Sequence, residues 1–192
     1  MQGRRRLWLV LAAVVALGAA VRLPALLQST FPLGDGGLFA AMVDDLRAAH
    51  YALPMETSYN GGGIPYVYPP LAFYLAAAVV DLTHVTTLSV LRWVPFIANL
   101  LTALAVAWLG LRLTRSRAVA GWAATLFVLL PDSFAWLIMG AGLTRSLGLL
   151  LTVSALALFV GVLRGPGAWR VLAAGMVAGA TPLAAEYTEY AE

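Results

Sequence analysis

The sequence predicts an all-α polytopic membrane protein: a single transmembrane domain over residues 1–192, with about five transmembrane helices and a long outer-face loop carrying an amphipathic and a re-entrant helix. Three observations predict this class. Hydrophobic residues make up 61% of the chain and charged residues 11%, against about 45–50% and 25% in ordinary soluble domains. The apolar residues fall in segments near the ~20 residues that cross ~30 Å of hydrocarbon. Most of the arginines cluster between those segments rather than inside them.

Residues 7–27 follow Arg4, Arg5 and Arg6 and form the first expected span. A basic start, an apolar run and the small residues Gly18, Ala19 and Ala20 also fit a cleavable signal peptide. The apolar run continues past them and more spans follow, which favours a retained helix. Further spans are expected over residues 88–111, 118–139, 146–163 and 169–185. Residues 70–80 differ. Only about eleven residues separate the Pro69-Pro70 pair from Asp81, which reach ~16 Å as a helix. That length suits a re-entrant or interfacial helix. If this segment does not cross, Arg4–Arg6, Arg112, Arg115, Arg117, Arg164 and Arg170 all fall on one side, which the positive-inside rule makes cytoplasmic. Residues 28–87 then form the first extracytoplasmic loop.

Long loops rich in Gly, Pro and aromatics are usually functional, and this one holds most of the polar chemistry. Asp35 opens a helical pattern in which Leu38, Phe39, Met42, Val43 and Leu46 share a face and Asp44 and Arg47 lie opposite. The pattern predicts an amphipathic helix lying on the membrane. Asp35 reads either as an N-cap or as an acid available for chemistry. Asp44 and Asp45 point in different directions from adjacent helical positions, which suits a solvated face better than a metal pair. Gly61, Gly62 and Gly63 permit positive φ. Pro69 and Pro70 then start a helix rigidly. Tyr66, Tyr68, Phe73 and Tyr74 read as an interfacial aromatic belt or as the wall of a groove for a lipid-linked substrate. Arg145, at the outer end of the third and fourth spans, either snorkels to the headgroups or grips a phosphate with its planar fork. Arg92, His84 and Asp132 lie at similar depth; a lone loop histidine is weak evidence for metal, and Asp132 after Pro131 suits the cap of a broken helix end. Gly175 and Gly179 are spaced to let a neighbouring helix approach, or are small residues of an ordinary membrane helix.

Composition also excludes functions. The chain has no cysteine, hence no disulfide framework and no thiolate chemistry. The net charge of +3 is not gathered on an aqueous face, so no nucleic-acid partner is expected.

Four of these segments, in order, resemble motifs of the GT-C superfamily of membrane glycosyltransferases, which includes protein O-mannosyltransferases, lipid A aminoarabinose transferases and oligosaccharyltransferases. Gly34-Asp35-Gly36-Gly37-Leu38-Phe39 resembles the acidic first-loop motif. Tyr68-Pro69-Pro70-Leu71-Ala72-Phe73-Tyr74-Leu75 resembles the His-Pro-Pro-Leu-Tyr-Tyr type motif. Leu91-Arg92-Trp93-Val94-Pro95 resembles the Arg-Leu-Pro that opens the next helix. Gly142-Leu143-Thr144-Arg145-Ser146 stands where oligosaccharyltransferases carry a second-loop arginine.

The resemblance implies transfer of a sugar from a polyprenyl-phosphate-linked donor to an acceptor on the extracytoplasmic face, in a prokaryotic plasma membrane and its cell envelope. It implies Asp35 as the catalytic acid, acting as general base or helping to hold a divalent cation (Mg or Mn). Arg145, Arg92, Tyr68 and Tyr74 are the implied substrate-binding residues, with membrane lipid as the surrounding partner. Three departures bear on the cation: Gly36 replaces the second acid, Tyr68 replaces the histidine, and no acid follows Arg145 directly, so Asp35 is the only candidate ligand. The chain is shorter than these enzymes, which suggests the N-terminal portion of one, or a truncated relative, with a new outer loop beginning at Glu186. The alternative is a non-catalytic membrane scaffold, or a lipid-binding or transporter subunit. A transporter should carry ionisable groups at mid-membrane on broken helices, whereas here the polar residues collect near one surface.

Overall fold

The computed structural model describes residues 2–28, 34–138, 142–165 and 167–184, with the side chains of residues 2–4 left aside. The expected outer loop after Glu186, Gly140 and the last residues of the third and fifth expected spans lie outside the described residues. The described chain is all-helical apart from one minimal hairpin. In order it forms α1 (Gln2–Gln28), α2 (Gly36–Ala48), β1 (Glu56–Thr57), a 3-10 turn (Tyr59–Gly61), β2 (Ile64–Pro65), α3 (Leu71–Thr83), α4 (Thr87–Thr114), α5 (Arg117–Leu129), a second 3-10 turn (Pro131–Ser133), α6 (Ala135–Ile138), α7 (Gly142–Arg164) and α8 (Ala168–Ala184).

Local chemistry sets these boundaries. Thr86 caps α4, its hydroxyl accepting from the Ser89 amide at 3.2 Å. Ser116 caps α5 in the same way through Val119. Such caps satisfy amides that a helix start otherwise leaves orphaned. Both α3 and α4 stop at a residue in the left-handed region, His84 (φ 57°) and Arg115 (φ 58°).

Among the described residues, three helices are long and apolar enough to cross a membrane: Arg5–Gln28, Thr87–Thr114 and Gly142–Arg164. The expected third span is not one straight helix. It breaks after Leu129, and Pro131–Ile138 turns away by 90°, because Pro131 has no amide to continue the ladder. It adds a fourth crossing only if the bent pair is taken together. The described part of α8 has 17 residues. Helix α3 has 13, about 20 Å, and is a short apolar helix as its sequence suggests.

Helix α4 is the hub, packing against α1, α5 and α7 and touching α2, α3 and α6. Helix α8 packs on α7. Two cores result. In the bundle, α1, α4 and α5 meet through small side chains, among them Ala103, Ala107, Ala120 and Ala124. At the other core, α2 and α3 pack against each other and against the first turns of α4 and α7.

That second core corrects one expectation. Phe39, Met42, Val43 and Leu46 are all fully buried, so the apolar face of α2 lies on protein and not on lipid. Helix α3 supplies the partner: Phe73, Ala76, Ala77 and Val80 line a complementary stripe at helical spacing. Several basic residues lie at the opposite end. Arg6 and Arg117 line one surface hollow, and Arg164 Nη2 donates to the Leu113 carbonyl at 2.9 Å.

Candidate functional site

The α2–α3 end of the molecule is a cap built from the segments that carry the motifs. At its rim, the Asp35 carbonyl accepts the Phe39 amide at 2.9 Å and so starts α2. The Asp35 carboxylate makes no capping bond and is exposed. Of the two readings of Asp35, the side-chain cap is therefore not realised. Exposure also means that the protein does not strip water from this carboxylate; only a bilayer or a bound substrate can.

An aromatic cluster begins at Phe39, the residue whose amide the Asp35 carbonyl accepts. Phe39 meets Tyr68 and Phe73 edge-on, each at 5.0 Å between ring centres. Phe73 also meets Tyr66 at 5.6 Å. Tyr66 is buried, and its hydroxyl donates to the Met42 carbonyl at 3.1 Å; burial, with the nearby Asp45 charge adding to it, pushes the phenol up. Tyr68 thus belongs to the wall between α2 and α3. Tyr74 takes another part: its hydroxyl donates to the Tyr51 carbonyl at 3.0 Å and its ring stacks on Tyr51. Its polar atom is occupied in holding the α2–β1 connection.

The glycine run forms the tip of the β1–β2 hairpin, with Gly61, Gly62 and Gly63 at φ 91°, 89° and 79°, a conformation that side chains disfavour. Asp45 anchors this hairpin, accepting from the Thr57 hydroxyl at 2.8 Å and the Ser58 amide at 2.7 Å. Burial pushes its carboxyl up, but the bonds from Ser58 and Thr57 prevail and hold it below its ordinary value. Asp44 faces elsewhere, accepting from the Thr87 hydroxyl at 2.6 Å. The two acids have different partners, as their adjacent helical positions require.

On the outer surface, Asp81 joins α3 to α2. It accepts from the Tyr51 hydroxyl at 2.6 Å and from Arg47 Nε at 2.7 Å. Those two bonds hold the Asp81 carboxyl below its ordinary value. Arg47 also pairs with Asp44 at 3.2 Å.

The two arginines of the motifs begin at the same core. Arg92 follows Val90 and Leu91, both buried in it, and Arg145 follows Leu143, also buried in it. Arg145 lies over the Trp136 ring at 5.9 Å. One core therefore gathers all four motif segments. For a divalent cation the fit is poor: among the described residues no three His, Asp or Glu side chains are grouped to hold a metal ion, and Asp35 has no second acid beside it. The described residues do not make a cation ligand set.

One side chain escaped the motif reading. Arg22, inside the first span, is fully buried. Its signal in the sequence is simple, since it is the only charged residue in the apolar stretch 7–27, and an ionisable group inside a membrane span marks a site by default. Compared with family models, with curated proteins and with solved structures, the chain has no match.

Proposed function

We propose that the chain is the membrane core of a glycosyltransferase that moves a sugar from a polyprenyl-phosphate donor to an acceptor hydroxyl at the α2–α3 end. The observation that carries this reading is the convergence of the four GT-C-like segments on one core, with an uncommitted, exposed carboxylate at its rim. In this reading α1, α4, the bent α5–α6 pair, α7 and α8 make five crossings. The arginine end faces the cytoplasm of a prokaryotic cell, and α3 is re-entrant or interfacial.

The chemistry follows from the residues. Asp35 takes the proton of the acceptor hydroxyl as its oxygen bonds to the anomeric carbon. The bond from that carbon to the phosphate oxygen breaks, and the phosphate leaves with the electron pair. Arg145, with Arg92, meets the charge that develops there, and its planar fork matches two phosphate oxygens. Tyr68 contributes to the apolar wall along which the polyprenyl tail lies, and Tyr74 holds that wall in place from behind. No step is routed through a metal ion.

A second reading has an observation in its favour. An apolar groove of about 630 Å³ runs between α7 and α8, lined by Leu156, Phe159, Val171 and Gly175 among others. A lipid-binding scaffold or transporter subunit would use such a surface without chemistry. The test is Asp35→Asn in the full-length protein, assayed by release of polyprenyl phosphate from a panel of polyprenyl-phosphate sugars. Asparagine keeps the backbone and volume, so folding is retained while transfer falls by ~10² or more. Unchanged transfer removes Asp35 as the base; absence of transfer in the parent protein with every donor favours the scaffold.

A further inference from the structure

Arg22 is held by three helices and a bend. Its Nε donates to Asn99 Oδ1 on α4 at 2.7 Å. Its Nη1 donates to the Gly18 carbonyl on its own helix and to the Val128 carbonyl on α5, both at 3.0 Å. The Phe134 ring lies 4.3 Å from the guanidinium carbon. Asn99 in turn donates to the Ser133 carbonyl at 2.9 Å. Nη2 is buried with no partner.

These contacts fall where the chain needs them. The break at Pro131 leaves the last carbonyls of α5 without intrahelical donors, and in an apolar surrounding each unmet group is costly. Arg22 meets the Val128 carbonyl, and the single Ser133 hydroxyl proton is shared between those of Phe127 and Leu130. A positive charge at a helix C-terminus is also favourable. Among the described residues no carboxylate is a hydrogen-bond partner of Arg22; backbone and amide oxygens and one ring supply the compensation.

We propose that Arg22 and Asn99 form a latch that fixes the bent segment Pro131–Ile138, and that the latch positions Arg145. The connection is short: Phe134 rests on Arg22, Trp136 lies two residues on, and Arg145 sits over Trp136. Helix α6 touches both α4 and α7, so a shift of the segment moves the platform under Arg145. Nη2 leaves two of the five guanidinium N–H donors unused among the described residues, and the ring of Phe134 and the Asn99 bond to Ser133 hold the bent segment to the latch. Arg22 is thus a positioning residue. Its link to Arg145 matters for transfer only within the glycosyltransferase reading; the latch itself does not depend on it.

The absence of cysteine from the chain permits a direct test that reads conformation rather than transfer. Single cysteines are placed at Ala135, on α6, and at Ala49, at the end of α2; both alanines are half-buried. Labelling by a water-soluble maleimide is timed in the parent, in Arg22→Leu and in Arg22→Lys, in nanodiscs. Removing hydrogen bonds from a charged donor should speed labelling at position 135 by about tenfold or more, with no change at position 49. Leucine suits a buried membrane site, so folded protein is expected. Lysine keeps the charge but cannot reach the same acceptors together, so it should loosen the segment as well. Equal rates at 135 in parent and variants overturn the latch, as does an equal rise at both positions. Should Arg22→Leu give no monodisperse protein, Asn99→Leu must produce the localised rise, and its failure to do so overturns the latch. Failure of transfer with an intact latch would instead count against the glycosyltransferase reading alone.

Discussion

Arg47 and Arg22 solve the same problem in opposite ways. Arg47, on the partly exposed surface of the cap, is paired with two carboxylates, Asp44 and Asp81. Arg22, fully buried among the helices, has no carboxylate and is met by amide and carbonyl oxygens. Where water screens the charges, an ion pair is easily made and worth little. Within the bundle, a second ion would bring its own desolvation cost, and fixed dipoles already present at a broken helix do the work instead. The cap therefore depends on its apolar core more than on its charges, and the bundle depends on Arg22 more than its apolar composition suggests.

The comparison can be broken in four places. The largest effect is expected from Phe39→Ala. Phe39 is fully buried between Tyr68 and Phe73, and such truncations cost ~3–5 kcal/mol. Thermal unfolding in detergent should show it, with the loss beginning in the cap; a wild-type midpoint would mean that lipid, not protein, covers this face. Next is Asn99→Ala, which strips Arg22 Nε of its acceptor and the Ser133 carbonyl of its donor. Loss of a hydrogen bond to a charged group is worth ~1.5–3 kcal/mol, read as a lower unfolding midpoint. Asp81→Asn should shift the midpoint less than Asn99→Ala does, because the Arg47 pair is exposed. A larger shift for Asp81→Asn would invert the comparison.

The smallest effect is on pH. Asp81 and Asp45 both have folded values below their ordinary ones. Their contribution is fully present above the unfolded carboxylate range and is lost as pH falls through the depressed folded values. Protection against hydrogen exchange, taken relative to the intrinsic amide rate at each pH, should fall in residues 44–58 and 71–83 on acidification below that range. The latch bonds involve no carboxylate, so protection at residues 133–138 should stay flat over the same interval. An equal loss of protection in both regions would tie the cap and the bend together.

Much of this was legible from residue order. The period of Leu38, Phe39, Met42, Val43 and Leu46 gives α2 and its apolar face directly. What covers that face was not legible, because a stripe of that kind suits lipid and protein alike until α3 is seen to lie against it. The hairpin carried no signal: strands of two residues have no alternation to read, and only the glycine run marked its tip. Asp132 after Pro131 suggested a broken helix end, but neither the 90° turn nor its direction follows from one proline. Asp35 was ambiguous between cap and acid on sequence grounds, and the absence of a side-chain bond separates the two. Arg22 barely alters the hydropathy of its segment, because an average over a long apolar stretch hides one charge.

The break after Leu129 also bears on how the protein enters its membrane. Helix α5 alone, 13 residues and about 20 Å long, falls short of a ~30 Å hydrocarbon layer and ends in carbonyls that lipid cannot satisfy. It is a poor substrate for insertion by itself. Arg22, which meets the Val128 carbonyl at that end, and Asn99, which meets the Ser133 carbonyl beyond the break, lie earlier in the chain, on α1 and α4. The order of synthesis thus delivers the donors before the acceptors, and α5 should insert as a guest of helices already in place rather than on its own hydrophobicity.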